Sequence, residues 1–355
     1  MEKALIAMSG GVDSSVAAYL MKEKGFDCIG VTMKLFANED IGLAKDYSCC
    51  SLEDTEDARS VAFRLGMPYY VFNFKGDFEK NVIDRFIEAY ECGRTPNPCI
   101  DCNRYLKFAS LYEKGRVLGC EYVVTGHYVR RALDPGTGRF LLKKGLDPMK
   151  DQSYVLWSLT QEQLRHSLFP LGEMTKDEVR RLASDQGFIN AKKHDSQDIC
   201  FVSGAYTDFI RSRTGKEYPE GDFIDEAGNV LGRHKGIIHY TLGQRKGFGL
   251  SFPQPMYVKK IDVGNNTVTL APNESLFSRE LTASDLNWIQ IPAIRDEIRV
   301  RARVRYHHKE QPATVTPIED GRIRVVFDEP QRAITSGQSL VMYDGDTVVG
   351  GGIIE

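Results

Sequence analysis

One short segment, Ser9-Gly-Gly-Val-Asp-Ser14, constrains the fold of this chain more than any other. It follows the apolar run Ala4–Met8, which predicts a buried strand, and precedes a helical pattern over Ser14–Lys24 that ends at Gly25. Open α/β sheets bind ligands at the carboxyl ends of their strands. The paired glycines let backbone N–H groups approach an anion, and the helix N-terminus adds a positive dipole. The segment therefore predicts a phosphate-binding loop, the alternative being a tight turn without a ligand.

This loop differs from the common nucleotide-binding motifs. It contains neither the Gly-x-x-x-x-Gly-Lys pattern nor the dinucleotide pattern Gly-x-Gly-x-x-Gly. Hydroxyl groups of Ser9 and Ser14 add donors for a phosphate. We expect the carboxylate of Asp13 to act on the Mg²⁺ that accompanies such phosphates.

Strand and helix patterns alternate to about residue 130 and predict an α/β fold with a doubly wound parallel sheet. Residues of about 151–190 are predicted to form a helical appendage with Thr160 and Thr175 as N-caps. After about Ala205, short alternating segments and turns such as Gly264-Asn265-Asn266 predict β structure to the end, including a small barrel or sandwich. We expect three domains: residues 1–205 with the appendage, a small, mostly β central domain over 206–278, and a C-terminal β-barrel over 279–355.

Charge and cysteine content narrow the function classes. The chain has 46 Lys and Arg against 49 Asp and Glu, a net charge of −3, so nucleic acid would have to bind local basic patches. We predict no signal sequence and no membrane span or membrane partner. Eight cysteines then indicate a reducing, cytoplasmic compartment in which thiols serve chemistry or metal binding.

Two basic segments are candidates for contact with nucleic acid. Four arginines alternate along a predicted strand, so their guanidinium groups share one face: Arg299, Arg301, Arg303 and Arg305. Residues 227–261 contain lysines, arginines and aromatic residues but no acid. The arginine face either follows a phosphate backbone or is an ordinary solvated face of the barrel.

Three cysteines are candidates for chemistry. Cys99 and Cys102 lie three positions apart in a proline-bounded loop that leads to a helix predicted from about Asn103. A helix N-terminus favours the nucleophilic thiolate. Cys200 follows a short polar stretch from Asp195 and is placed to border a pocket. Cys49 and Cys50 form a vicinal pair in a polar loop, where a redox role is the alternative to an ordinary structural one.

The loop at residues 9–14 resembles the signature of the ATP pyrophosphatases, or PP-loop enzymes. These enzymes have an adenine nucleotide alpha hydrolase-like fold and split ATP between its α and β phosphates to adenylate a substrate oxygen. Further motifs resemble the bacterial tRNA 2-thiouridylases. They are Thr95-Pro-Asn-Pro98 with Cys102-Asn103, Thr125-Gly-His-Tyr128, Lys150-Asp-Gln-Ser-Tyr154, Asp198-Ile-Cys-Phe201 and Tyr240-Thr-Leu-Gly-Gln-Arg-Lys-Gly247.

This resemblance implies an ATP-dependent transfer of sulfur to the wobble uridine of tRNA. The 2-oxygen of the uridine is adenylated with release of pyrophosphate, and AMP then leaves. In this scheme Cys200 carries the sulfur as a persulfide, and Cys102 assists its release and forms a disulfide with Cys200. ATP and Mg²⁺ are the expected cofactors, with Asp13 in a catalytic role. The residues implied in nucleotide binding are Ala7, Met8, Ser9, Gly10, Gly11, Val12, Ser14, Met33 and Gly126.

The same resemblance implies contacts with tRNA and a protein that donates sulfur. The target base would enter at Asn97, Pro98 and Cys99. Other implied contacts to tRNA are His127, Lys150, Asp151, Gln152, Arg305, Tyr306 and Gln338. For His127 the alternative is an ordinary core histidine. The sulfur donor is expected to be a cysteine desulfurase or a sulfur-relay protein.

One departure from the family pattern leaves the sulfur route open. Cys99 occupies a position where the commonest pattern has an acidic residue, and Asp101 is only a near substitute. Cys99, Cys102 and Cys200 therefore form a set of three thiols, and related tRNA thiolases hold a 4Fe–4S cluster on three cysteines. Two other functions also remain: a small-molecule adenylating synthetase, and a non-catalytic protein that binds RNA or an iron–sulfur cluster.

Overall fold

A computed structural model describes residues 1–36, 52–194, 199–202 and 204–355. The vicinal cysteines Cys49 and Cys50 and the polar stretch of residues 195–198 lie outside the described residues. Within the described ranges, every helix falls short of the length and apolar character that a membrane span requires.

The described strands and helices follow one another in mixed order along the chain. The strands are β1 Lys3–Ala7, β2 Asp27–Lys34, β3 Tyr69–Asn73, β4 Tyr122–Val124, β5 Val129–Leu133, β6 Phe140–Lys144, β7 Ser167–Leu168, β8 Gly221–Ile224, β9 Val230–His234, β10 Met256–Asp262, β11 Thr267–Pro272, β12 Phe277–Trp288, β13 Ile298–Arg303, β14 Gln311–Pro317, β15 Ile323–Arg332, β16 Ser339–Asp344 and β17 Thr347–Ile354. The helices are α1 Val12–Glu23, α2 Leu52–Arg64, α3 over 75–91, α4 over 98–117, α5 Gln161–Arg165, α6 Lys176–Asp185 and α7 Tyr206–Thr214. Short π-helical segments, Glu79–Ile83 and Cys102–Ser110, lie within α3 and α4.

The first sheet is parallel and doubly wound, as the sequence predicts. Its strand order is β3-β2-β1-β4-β7, with all neighbours parallel. Side chains of β1 alternate between the two sheet faces. Ala4 and Ile6 pack with residues of α1, α2 and α6, whereas Leu5 packs with residues of α3 and α4. Helices therefore cover both faces, and the loop after β1 opens at the carboxyl edge.

The appendage contains the predicted caps. Thr160 and Thr175 both form capping boxes, with Gln163 and Glu178 respectively. Between β4 and this region, β5 and β6 form an antiparallel hairpin that the sequence analysis missed. The short strand β7 then returns to pair with β4 in the parallel sheet.

The central region is a four-stranded sheet in the order β10-β11-β8-β9. The predicted hairpin is present: β10 and β11 are antiparallel, and Asn266 in the turn has a φ of 49°. The prediction of β structure from about Ala205 onward was wrong at its start, where α7 forms. Phe209 and Ile210 of α7 are buried in the core shared with α3, and this tertiary packing decides the structure there.

The C-terminal sheet closes into a six-stranded antiparallel barrel. Its order is β12-β15-β14-β13-β16-β17, and β12 also pairs with β17. The hairpin of β5 and β6 joins this barrel through the pairing of Thr347 with Lys143. Arg139 fastens the hairpin, since it donates to the carbonyls of Ile289 and Trp288, both at 2.9 Å.

We predict that Arg139→Ala loosens the hairpin from the barrel. Each lost hydrogen bond contributes about 1 kcal/mol, so amide hydrogen exchange over residues 129–144 should become at least roughly fivefold faster. Hydrogen exchange with mass spectrometry measures this change, and exchange in β1 should stay constant. The exposed Arg295 of the barrel supplies the control variant Arg295→Ala. Equal exchange in the two variants would contradict the assigned role of Arg139.

Candidate active site at the carboxyl edge of the parallel sheet

A cavity of about 330 Å³ opens where β1, β2 and β4 end. It is lined by residues from these strand ends, from the start of α4 and from the segment of residues 199–201. Many of the predicted site residues line it: Ala7, Met8, Ser9, Asp13, Ser14, Met33, Pro98, Cys99, Cys102, Gly126, His127, Gln152 and Cys200. Nucleotide-binding and cysteine candidates thus share one cavity, although they come from distant parts of the sequence.

The loop after β1 has the backbone geometry that its glycines predict. Gly10 has a φ of 77°, and a Cβ there would lie 2.3 Å from the carbonyl oxygen of Asp54. Only glycine fits this position. Lys193 holds Asp54 in place through an ion pair of 2.7 Å. The loop therefore packs tightly against the start of α2.

The first turn of α1 is left open for an anion. Gly11 is its N-cap and provides no side-chain cap. Gly126 packs directly on this turn, because a Cβ there would lie 2.8 Å from the carbonyl carbon of Asp13 and 2.9 Å from the Ser14 nitrogen. Ser14 Oγ donates to the Gly11 carbonyl at 3.0 Å and accepts from the Ser9 nitrogen at 3.2 Å. Helix dipole and small residues together suit a phosphate group.

Asp13 is held by two partners that the sequence analysis did not identify. Lys176 Nζ, at the start of α6, donates to both of its carboxylate oxygens at 2.7 and 2.9 Å. The hydroxyl of Tyr128 donates to Oδ1 at 2.7 Å. Asp13 is the only carboxylate among the described residues that line the cavity, so it is the residue that would hold a divalent cation there.

His127 is buried beside the cavity. Burial, reinforced by the charge of Lys107, holds the pKa of His127 well below its usual range. The ring is therefore neutral at physiological pH and offers one donor and one acceptor nitrogen. Its Nδ1 lies 2.7 Å from Oγ1 of Thr125. His127 lines the cavity although its side chain is buried.

Helix α4 presents the two neighbouring cysteines. It begins at Pro98, earlier than the predicted Asn103, so Cys99 lies in its first turn, where it is exposed. Cys102 is one turn later and only 8% exposed. Asp101 does not line the cavity and pairs with Arg85 at 3.4 Å. Burial raises the pKa of Asp101 to about 6, against the opposing effect of the arginine.

Cys200 reaches the cavity from the segment that joins the first two domains. It is half-buried, and the next residue anchors it. Phe201 is 1% exposed and meets the rings of Phe78, Phe86 and Phe209 at centroid distances of 5.5, 5.3 and 5.3 Å. This aromatic cluster fixes where the thiol enters the cavity wall.

The three cavity cysteines do not form a metal-binding group in this structure. Among the described residues there is no set of three or more His, Cys, Asp or Glu side chains arranged to hold a metal ion. This finding gives no support to a cluster ligated by Cys99, Cys102 and Cys200.

The predicted tRNA contacts near residue 151 differ in their surroundings. Gln152 lines the cavity, and its Oε1 accepts from the Tyr128 nitrogen at 3.0 Å. Asp151 is 7% exposed, and its carboxylate accepts hydrogen bonds from Gly145 and Ser153. The hydroxyl of Tyr306 donates to the Asp151 carbonyl at 3.3 Å. The buried carboxylate of Asp151 thus holds the loop of residues 145–153 together through these hydrogen bonds.

Two barrel residues that were predicted to contact tRNA join domains instead of lying on an open face. Arg305 follows the end of β13 and donates to the carbonyls of Leu242 and Ala333 at 3.0 and 3.1 Å, and to Thr335. Gln338 donates to the carbonyls of Thr95 and Pro96 at 2.9 and 3.3 Å. The bonds of Gln338 hold the loop before Asn97 against the barrel, and the bond of Arg305 to Leu242 joins the barrel to the central domain.

The face of alternating arginines, Arg299 to Arg305, is only partly as predicted. Val300, Ala302 and Val304 are buried, so the expected alternation is present. The guanidinium groups, however, are engaged with carboxylates: Arg299 with Asp328 at 2.7 Å, Arg301 with Glu310 at 3.9 Å and Arg303 with Glu310 at 3.0 Å. Arg305 is half-buried, whereas Arg299 and Arg301 remain exposed, so the four guanidinium groups do not form one continuous open face.

Family models and curated relatives cover nearly the whole chain. The models are the tRNA methyl transferase HUP domain over residues 2–204, the tRNA methyl transferase PRC-barrel domain over 207–272 and the Aminomethyltransferase beta-barrel domain over 278–354. The chain is 52% identical over 355 residues to tRNA-specific 2-thiouridylase MnmA of Clostridioides difficile, covering 100% of this chain and 98% of that protein. It is also 52% identical over 357 residues to the protein of that name from Acetivibrio thermocellus, covering 100% and 99%. The chain therefore belongs to the tRNA-specific 2-thiouridylase family, as its motifs predict.

Proposed function

We propose that this enzyme uses ATP to activate the 2-oxygen of the tRNA wobble uridine and then replaces that oxygen with sulfur carried by Cys200. The observation that carries the proposal is the shared cavity, which brings the phosphate loop together with Cys102 and Cys200. An adenylating synthetase for small molecules needs no such pair of thiols. Identity of 52% to 2-thiouridylases over the full length also favours tRNA thiolation over a non-catalytic role.

The first step forms a bond between the uridine 2-oxygen and the α phosphorus of ATP, and pyrophosphate leaves. The open first turn of α1 and the glycine loop supply N–H donors for the phosphates. Asp13 would hold Mg²⁺, which supplies charge neutralisation of the phosphates when bound, and Lys176 holds the Asp13 carboxylate in position. Ala7, Met33 and Gly126 line the cavity where we place the nucleoside.

In the second step the terminal sulfur of a Cys200 persulfide attacks C2 of the uridine, and AMP leaves with the 2-oxygen. The thiolate of Cys102 then attacks Sγ of Cys200, which breaks the sulfur–sulfur bond to the uridine and forms a Cys102–Cys200 disulfide. A thiol reductant restores both thiols. A cysteine desulfurase or a sulfur-relay protein supplies the next persulfide sulfur, and the enzyme acts in the cytoplasm.

For the tRNA we propose two kinds of residue. Asn97, Pro98, Cys99, His127, Lys150 and Gln152 contact the target nucleotide or its neighbours. Asp151, Tyr306 and Gln338 act mainly by holding the loops that carry those contacts, and Arg305 acts by joining the barrel to the central domain, since their polar groups bond within the protein.

Cys200→Ser should abolish thiolation, because a hydroxyl cannot carry a persulfide, while tRNA affinity changes by less than twofold. Incorporation of ³⁵S into tRNA and filter binding measure the two quantities. Cys92→Ser is the matched control, since Cys92 is exposed and outside the cavity. Thiolation by Cys200→Ser at the rate of this control would overturn the assignment.

Cys99→Asp distinguishes the two sulfur routes. On the persulfide route Cys102 and Cys200 remain, and we expect activity within about threefold of the unmodified enzyme. Anaerobic purification with iron and sulfide analysis provides the second measurement. Joint loss of iron and activity would instead identify Cys99 as a cluster ligand and refute the persulfide route.

Asp13→Asn should lower tRNA-dependent pyrophosphate release at least roughly 100-fold, because it removes the cavity's carboxylate and uncovers the buried charge of Lys176. Asp346→Asn is the control, since Asp346 also pairs with two cations, Lys143 and Arg130, but lies in the barrel region. Thermal melting must show that both variants are folded. Pyrophosphate release by Asp13→Asn equal to that of the control would remove Asp13 from the activation step.

A further inference from the structure

Asn190, which belongs to none of the sequence motifs, holds the phosphate loop of residues 9–14 through hydrogen bonds. Asn190 follows α6 and is 3% exposed. Its Nδ2 donates to the Gly10 carbonyl and to Ser15 Oγ, both at 2.9 Å. Ser15 Oγ in turn donates to the Gly11 carbonyl at 3.1 Å. One amide group therefore holds, directly or through Ser15, the carbonyls of both glycines.

The orientation of this amide is determined by its acceptors. A carbonyl oxygen can only accept, so Nδ2 and not Oδ1 must face Gly10. The other end of the amide, Oδ1, is buried without a hydrogen-bond partner among the described residues. A buried acceptor without a hydrogen-bond partner destabilises the folded protein. We attribute the retention of this unpaired Oδ1 to the two hydrogen bonds that Nδ2 of the same amide donates to the phosphate loop.

Holding these carbonyls determines what the loop presents to an anion. The peptide bonds are trans, so each N–H points opposite to the carbonyl of the same peptide. Because Asn190 holds the Gly10 oxygen, the Gly11 N–H points away from Asn190. A rotated peptide would instead turn a carbonyl oxygen toward the phosphates and repel them.

We infer that Asn190 is a positioning residue for ATP: it keeps the carbonyls of Gly10 and Gly11 away from the phosphates and thereby leaves the loop's N–H groups free to bind them. This inference rests on the proposed use of ATP at this loop. It assigns Asn190 no contact with tRNA or with the cysteines.

Asn190→Asp is the sharpest test, since it preserves side-chain shape but places an oxygen against the Gly10 carbonyl. We expect the dissociation constant for ATP, measured by equilibrium dialysis, to rise at least tenfold. The KM for ATP in tRNA-dependent pyrophosphate release should rise similarly, while the KM for tRNA changes less than twofold. Ser15→Ala removes the relay to Gly11 and one of the two acceptors of Asn190 but leaves the bond to Gly10, and it should weaken ATP binding severalfold.

Asn287→Ala is the matched control. Asn287 also donates two hydrogen bonds to carbonyls, those of Trp157 and Leu159 at 2.7 and 2.9 Å, but it lies in the barrel. This variant should melt at a lower temperature with unchanged ATP affinity. The inference is overturned if Asn190→Asp and Ser15→Ala bind ATP within twofold of the unmodified enzyme. If ATP binding weakens as expected but the unmodified enzyme releases no pyrophosphate with tRNA, the proposed function fails and the role of Asn190 stands.

Discussion

The ion pair between Asp13 and Lys176 is the contact on which the site most depends. Lys176 is 8% exposed, so its charge requires a partner, and Asp13 supplies both carboxylate oxygens. Tyr128 completes the arrangement with its hydroxyl on Asp13 and its ring 5.8 Å from the Lys176 nitrogen. The loop after β1, the segment after β4 and the start of α6 therefore meet at one buried charge.

The same lysine connects the nucleotide loop with the segment that we propose contacts tRNA. The backbone nitrogen of Lys176 donates to Oδ2 of Asp147 at 3.1 Å. Oδ1 of Asp147 accepts from the Met149 nitrogen at 2.9 Å, directly before Lys150. These bonds fasten the segment before Lys150 to the start of α6, the helix whose first lysine holds Asp13. The appendage supports the activation site as well as lying near the tRNA segment.

The sequence predicts this fold well where the determining signals are local. Ala4, Leu5 and Ile6 and the following glycine loop define a strand, turn and helix within about twenty residues, and Asn266 marks its hairpin by adopting a positive φ. Long-range contacts left no such signal. Lys176 and Asn190 lie 163 and 180 residues from their partners in the loop, and the β5–β6 hairpin depends on strands of a barrel formed 200 residues later. Arg305 continues a periodic pattern past the end of its strand, so alternation alone assigned it to the wrong surroundings.

The thiols of Cys102 and Cys200 are buried to different extents, which is consistent with different roles in sulfur transfer. A sulfur carrier has to meet a donor protein and afterwards the uridine, and Cys200 is half-buried at the cavity wall. A resolving thiol attacks only the persulfide beside it and does not have to meet the donor protein. Cys102, 8% exposed one turn inside α4, is the less accessible of these two thiols. Access to the thiols, together with their chemistry, therefore favours Cys200 as the carrier and Cys102 as the residue that completes the transfer.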